Sequence, residues 1–179
     1  MPNVVCDANP RSRMAPTEAL WRGGGYRETV SWLGRSPDRT EILGLRPALA
    51  ARHQALVAAI WASGVSPVTL ELCRIRLATM LRADVALAER SPAAVEAGLV
   101  EDIVLALPHW PSDPAFSEEQ RACLELTELF AIDHHAVADE HVARVDRALG
   151  HRGTVALLTA LGVWEAQHRF DNALGVTQP

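Results

Sequence analysis

A glutamate, Glu71, lies within an apolar stretch of sequence, and a carboxylate in such surroundings could do acid–base chemistry. The stretch reads LELCRIRLATMLRADVALAER and is predicted to form one helix over residues 67–90. Burial raises the pKa of a carboxyl group, which would suit Glu71 to act as a general base. The alternative is a structural ion pair, either with Arg74 one turn further on or with a residue of a neighbouring helix.

Arg90, at the end of the same predicted helix, could hold an anionic substrate. A guanidinium cannot act as a base at neutral pH, but it can bind a carboxylate through two parallel hydrogen bonds. The alternative is an exposed arginine that complements the helix dipole. Asp84 is either a second catalytic carboxylate or a partner for Arg82 or Arg90.

The densest group of histidines comprises His134, His135 and His141. A metal site would need a pair spaced i,i+4 on a helix or converging acidic side chains, whereas this spacing spans a loop and a helix start. We therefore predict no metal site, and His135 remains a candidate for a second acid or base. His168 lies at the polar end of a helix predicted to be buried, where a structural hydrogen bond is expected and a place in the lining of a pocket is the alternative.

Composition narrows the range of functions. The net charge of -5 and the lack of a basic cluster argue against nucleic acid or an anionic membrane as a partner. No apolar run reaches membrane-spanning length and no signal-peptide pattern is present, so we expect a cytoplasmic protein. The three cysteines, Cys6, Cys73 and Cys123, form no C-x-x-C motif, and the latter two are predicted to be buried.

The pattern of apolar residues predicts an all-α fold. Residues 1–40 contain four prolines and a run of three glycines and are predicted to be a largely irregular N-terminal arm, which could pack on a neighbouring subunit through its aromatic residues or be a loose terminus. Residues 41–179 are predicted to be one domain of about six to eight helices, because apolar residues recur there at helical spacing. The predicted helices span 47–63, 67–90, 92–97, 99–107, 117–132, a segment from 139 and 154–174.

Four segments together resemble the AhpD-like/carboxymuconolactone decarboxylase family. The family's redox helix reads roughly E-L-x-x-L-R-x-A-x-x-x-x-C-x-Y-C-x-x-x-H, and Glu71, Leu72, Arg76 and Ala78 match it. The other three segments are AGLVEDIVLAL, FSEEQRACLELTELFAIDHHAVADE and HRFDNALGV. The order of these segments along residues 45–176 carries the resemblance. The residues that depart from the redox pattern are Ala83 and Ala86 at the two cysteine positions, Val85 at the tyrosine and Arg90 at the histidine.

The resemblance implies a helical subunit that forms homo-oligomers, as dimers, trimers or their multiples. It would also imply thiol-dependent peroxide reduction, which alanine at both cysteine positions disfavours. We therefore predict a cofactor-free, non-redox enzyme of decarboxylase, isomerase, cyclase or hydrolase type, acting on a small acidic or cyclic molecule. Its candidate site residues are Glu71, Arg90, Asp84 and His135. The alternative is a non-catalytic protein that binds a ligand or shapes an oligomer.

Overall fold

The structure, a computed structural model, describes residues 37–177 as a helical bundle. Within these residues there are eight α-helices, two short 3₁₀ helices and no strand, which confirms the all-α prediction. The helices are α1 (Arg39–Gly44), α2 (Pro47–Trp61), α3 (Pro67–Leu81), α4 (Asp84–Ala88), α5 (Pro92–Glu96), α6 (Glu101–Ala106), α7 (Glu118–Ile132) and α8 (Asp139–Leu174), with 3₁₀ turns at Leu107–His109 and His134–Ala136. Most of the predicted N-terminal arm, including its aromatic residues, lies outside the described residues.

Helix α3 lies at the centre of the bundle, against α7 and α8. It begins as its sequence predicts, with the Ser66 hydroxyl accepting a hydrogen bond from the Thr69 amide and Pro67 at the first helical position. Apolar side chains on all of its faces are buried, among them Leu70, Leu72, Cys73, Ile75 and Leu77. A helix that is apolar on every side belongs inside the fold, so the polar groups of α3 must find partners there.

The prediction of one continuous helix over residues 67–90 is wrong, because the chain turns at Arg82. Arg82 adopts a left-handed conformation with φ 53°, and the Ala83 amide donates to the Ala78 carbonyl at 2.9 Å. The Asn172 side chain caps the free Leu81 carbonyl at 2.9 Å. The spacing of apolar residues does not reveal that an arginine takes the left-handed conformation. A prediction from periodicity alone therefore continues the helix past Arg82.

Helices α7 and α8 complete the core. A capping box between Ser117 and Gln120 starts α7, as this pair of residue types at this spacing predicts. Helix α8 turns at Gly150, where φ is 68°, and this glycine interrupts the helical conformation between its two halves. Gly153 then lies so near Leu149 that an added Cβ would be 2.6 Å from the Leu149 Cβ. Gly153 therefore leaves room for Leu149 and Val65 to approach its main chain closely.

Helix α2 is peripheral, since Ile60 is the one residue of α2 that is buried. The rings of Trp61 and Trp164, 5.7 Å apart between centroids, pack the end of α2 against α8. Leu49 and Leu56 remain exposed on the outer surface of α2. Among the helices of residues 37–177, none combines the length and apolarity needed to cross a membrane.

Candidate functional site

Glu71 forms a buried, two-point ion pair with Arg74. Arg74 Nε and Nη2 donate to the two Glu71 carboxylate oxygens, each at 2.7 Å, and the Glu71 side chain has no exposed surface. The Ser91 amide donates to the same carboxylate at 3.0 Å. Arg74 also donates to the carbonyls of Ala86 and Glu89, each at 2.9 Å. The sequence allowed either this structural ion pair or a catalytic base, and the structure contains the ion pair. Through Glu89 and Ser91, it also holds the segment that follows α4 against α3.

The positions of the family's redox cysteines are filled by methyl groups. Ala83 and Ala86 are buried and pack with Ala78 and Leu87. The thiols of the described residues lie elsewhere, in the core at Cys73 and Cys123, and both are free. Burial raises the pKa of Cys73 to about 12, although a hydrogen bond with Thr127 opposes the shift, and burial also raises the pKa of Cys123. Thiols with raised pKa values are poor nucleophiles. Cys6 lies outside the described residues.

Arg90 has its own carboxylate partner at the protein surface. Its guanidinium donates to Glu101 at 2.8 and 3.0 Å, and to the carbonyls of Leu87 and Glu89 at 2.7 and 2.8 Å. The hydrogen bond from Arg90 lowers the pKa of Glu101. Arg90 and Glu71 therefore flank the same short segment, but the structure does not pair their side chains.

Asp84 and His135 lie on other elements. Asp84 is the exposed first residue of α4. His135 is exposed in the turn between α7 and α8, where its ring stacks on His134 at 4.0 Å and its amide donates to Asp133 at 3.0 Å. Residues 37–177 contain no group of three or more potential ligands placed to hold a metal ion. The catalytic roles of these four candidates stay predictions.

His168 is buried without a hydrogen-bond partner. It is 1% exposed, and neither ring nitrogen has a partner within the described chain. Burial lowers its pKa to about 4, with the charges of Arg74 and Arg39 adding to the shift and the nearby Arg74 main chain opposing it. The imidazole is therefore neutral at pH 7. No hydrogen bond of normal geometry from the described residues holds the ring, so the Arg74 main chain compensates only part of the cost of burying His168.

A second ion pair also lies near His168. Arg39 of α1 donates to both carboxylate oxygens of Asp171 at 2.7 to 3.1 Å, and its Nη1 lies 3.6 Å from Glu89. Burial opposes the charge of Arg39, but the hydrogen bond and charge of Asp171, together with Glu89, outweigh it and raise the pKa of Arg39. We call the two pairs and the histidine near them the polar cluster, which comprises Glu71, Arg74, His168, Asp171 and Arg39.

Two cavities lie between α1, α2 and α8. Cavity A has a volume of about 450 Å³ and a mainly apolar lining that includes Leu158, Val163 and Phe170. Cavity B, of about 740 Å³, is bounded chiefly by α1 and α2 and reaches Glu89. None of the four predicted site residues lines either cavity. The polar groups lining cavity A are Arg39, His53, Thr159 and Gln167.

Sequence reasoning missed these cavity residues for identifiable reasons. His53 occurs at helical spacing among the apolar residues of α2, a pattern that predicts core positions rather than a cavity wall. Arg39 fell in the predicted arm, although Asp38 could have been recognised as a helix cap, since its carboxylate accepts from the Glu41 amide at 2.7 Å. The pairing of Arg39 with Asp171 joins residues 132 positions apart, and no local pattern predicts it.

The fold is that of AhpD-like proteins, as the sequence predicted. The crystal structure of a protein of unknown function from Agrobacterium tumefaciens, classed with the antioxidant defence protein AhpD, is similar with a TM-score of 0.69 and 16% identity, over 79% of this chain and 98% of that chain. The debrominase Bmp8, in a variant with one cysteine replaced by alanine and in complex with 2,3,4-tribromopyrrole, is similar with a TM-score of 0.67 and 17% identity, over 92% of this chain and 88% of that chain. No protein-family model and no curated protein matches the sequence.

Proposed function

We propose that the protein binds a small organic molecule with an uncharged, largely apolar body in cavity A and acts on it by proton transfer, without thiol redox chemistry. The observation that carries this proposal is the cavity itself. Its volume of about 450 Å³ falls within the usual range for small-molecule sites, and an apolar wall with a few polar groups is typical of such sites.

The charges argue against an acidic ligand. Within residues 37–177, the guanidiniums of the polar cluster and of the segment beside it already have carboxylate partners: Arg39 pairs with Asp171, Arg74 with Glu71 and Arg90 with Glu101. An anionic ligand would have to displace one of these carboxylates, and displacing Asp171 or Glu71 would leave a buried charge without a partner. Of the two predicted substrate classes, the cyclic one therefore fits the site better than the acidic one.

His53 is the residue that we assign to proton transfer. It is half-buried on α2 and lines cavity A, and an imidazole can accept and return a proton in one catalytic cycle. The Gln167 amide lines the same cavity and can orient a polar atom of the ligand. Moving a proton from one atom of a ring to another is isomerase-type chemistry that needs no cofactor, and it is the reaction class that we propose.

The debrominase of similar fold was crystallised with a small halogenated ring, 2,3,4-tribromopyrrole. That ligand belongs to that protein, but it supports the proposal that a helical framework of this kind can accommodate a compact apolar ring. Cytoplasmic location and assembly into homo-oligomers remain part of the proposal, with the exposed apolar residues of α2 as the surface that favours assembly.

A non-catalytic binding protein is the second candidate function. The pairing of Glu71 with Arg74, and of Arg90 with Glu101, favours it, because charged side chains held by partners contribute to structure rather than to turnover. Cavity A would then hold a ligand that leaves unchanged. The two candidate functions differ in the role of His53. An enzyme would need its imidazole for proton transfer, whereas a binding protein would need it only as part of the cavity lining.

The first test is to block cavity A. An added Cβ at Gly162, which lines this cavity, meets no atom within 4 Å, so Gly162→Leu should fill the cavity without straining α8. The matched control is Ala173→Leu, on the same helix and exposed. Each protein is incubated with a metabolite extract and then analysed by mass spectrometry for bound and converted compounds. We expect Gly162→Leu to lose a compound that wild type and control retain. Equal retention by all three proteins would contradict the proposal.

His53→Gln separates the two candidate functions. As an enzyme, the protein should lose conversion in this variant while keeping the bound compound, since the amide retains polarity but cannot transfer a proton. Conversion that is unchanged in His53→Gln would contradict the assigned role. Binding without conversion in wild type would establish the non-catalytic candidate. Peroxide consumption is measured in parallel, and we expect none above the protein-free rate.

A further inference from the structure

Cavities A and B lie on two sides of the same side chains. Arg39, Leu43, His53 and Gln167 line both cavities. The shared residues include the polar side chains of Arg39, His53 and Gln167. If the polar end of a ligand in cavity A lies against these side chains, that end is next to cavity B. The character of cavity B then decides what that end of the ligand can be.

Cavity B is acidic. Among the described residues, the carboxylates of Asp38 and Glu89 and the guanidinium of Arg39 line cavity B, and Arg39 is paired with Glu89 and with the buried Asp171, which is not itself a lining residue. With Asp171 included, the three carboxylates exceed the single guanidinium, so negative charge is in surplus among these residues. Opposite charges attract strongly where solvent is partly excluded. A positively charged group is thus the natural complement of cavity B.

The position of Glu89 is fixed by its main chain. Its carbonyl accepts hydrogen bonds from Arg74 at 2.9 Å and from Arg90 at 2.8 Å. Its side chain is 44% exposed and lies 3.6 Å from Arg39 Nη1. Because its main chain is held in place and its side chain lies in the cavity wall, Glu89 is suited to bind a ligand.

We propose that the ligand is amphipathic, with an apolar body in cavity A and a protonated amine directed at Glu89 and Asp38 in cavity B. This inference rests on the proposed function and specifies its substrate class. The body remains uncharged, as the lining of cavity A requires, while the head group supplies the charge that cavity B lacks.

Three probes of similar size test the inference: 2-phenylethylamine, 2-phenylethanol and phenylacetate, titrated into the full chain and followed by NMR. We expect the amine to bind most tightly and the carboxylate most weakly. Glu89→Gln should weaken amine binding by roughly threefold to fivefold, the range for a partly exposed ion pair, and leave alcohol binding unchanged. Glu101→Gln is the control, because that exposed carboxylate pairs with Arg90 and lines neither cavity.

Two glycine substitutions separate a failure of this inference from a failure of the proposed function. Gly44 lines cavity B and, like Gly162, has open space at its Cβ. Gly44→Leu should remove the advantage of the amine over the alcohol, whereas Gly162→Leu should weaken all three probes. Equal affinity of amine and alcohol for wild type would overturn the inference and leave the cavity A proposal standing. Failure of every probe to bind would also overturn it, while the metabolite experiment tests the proposed function separately.

Discussion

The polar cluster and cavity A lie close together, and both include Arg39, but they use polar side chains in opposite ways. In the polar cluster, the carboxylates and guanidiniums satisfy one another at 2.7 to 3.1 Å, deep among apolar helices. In cavity A, His53 and Gln167 stand at the edge of an open, apolar space. The cluster contains the residue that looks most catalytic in the sequence, Glu71, while the cavity offers room for a ligand. Burial of a charged residue therefore indicates a structural role here as readily as a catalytic one.

The largest effect should come from breaking the polar cluster. Arg74→Met leaves the Glu71 carboxylate buried without its partner, which should lower the free energy of unfolding by about 3–5 kcal/mol. Urea denaturation at pH 7 measures this. Arg90→Met is the matched control, and it should have a far smaller effect because its partner Glu101 is exposed.

A double variant refines this prediction. Glu71→Leu combined with Arg74→Met removes both charges, so the loss should be smaller than the sum of the two single losses, with a coupling of about 0.5–3 kcal/mol. Some loss will remain, since the Ser91 amide and the carbonyls of Ala86 and Glu89 lose their partners. If Arg74→Met and Arg90→Met destabilise the protein equally, the polar cluster is not the structural centre that its geometry indicates.

His168 should make the stability of the polar cluster depend on pH. Its pKa is about 4 in the folded protein, against about 6.5 for an ordinary histidine, so the unfolded chain binds the proton first as pH falls. The stability is therefore fully present above pH 6.5 and is lost as the pH falls toward 4, by at most about 1.4 kcal/mol per pH unit. Denaturation curves from pH 7.5 to 4 measure the slope.

His168→Leu should flatten that slope, and His151→Leu, at an exposed histidine, should not. At pH 7 the leucine variant should also be as stable as wild type or more stable, because it removes a buried imidazole that has no hydrogen-bond partner. Parallel curves for wild type and His168→Leu would mean that this histidine is solvated or paired in solution.

Two glycines on α8 compare the packed side of the helix with the cavity side. Gly153→Ala places a methyl group 2.6 Å from the Leu149 Cβ, and overpacking of this kind lowers stability by about 1–3 kcal/mol. Gly162→Ala points into the open space of cavity A and should raise stability by up to about 1 kcal/mol through helix propensity. Thermal unfolding measures both. A stabilising Gly153→Ala would show that the contact with Leu149 relaxes easily.

Much of the fold could be predicted from local sequence. Ser66-Pro67 and the Ser117–Gln120 box mark the starts of α3 and α7 because caps are local hydrogen bonds. The end of α3 could not be predicted, because Arg82 takes a left-handed conformation that is stabilised by contacts distant in sequence, such as the one from Asn172 to Leu81. Asp139 is a residue type that often caps helices, yet the N-cap of α8 is Ala138, whose amide donates to the His141 ring at 2.9 Å.

The candidate site was less predictable than the fold. The pattern of residues could place Glu71 in an apolar helix and name Arg74 as a possible partner, since both lie on one helix face. It could not indicate that Arg39 would cross to Asp171, or that His53 would face a cavity rather than the core. Those facts depend on how α1 and α2 pack on α8, which side-chain periodicity within a single helix does not encode.

The smallest expected effect concerns the cysteines, which belong to neither the polar cluster nor the cavities. In a Cys6→Ser background, a small thiol reagent should leave Cys73 and Cys123 unmodified in the native protein and modify both in urea. Both thiols are buried, and burial raises their pKa values, so the reactive thiolate is scarce. Replacing either by alanine should leave any conversion in cavity A unchanged. Rapid native labelling together with peroxide consumption that vanishes in Cys73→Ala would instead place the chemistry in the core. Proton transfer in cavity A would then be the wrong reaction for this protein.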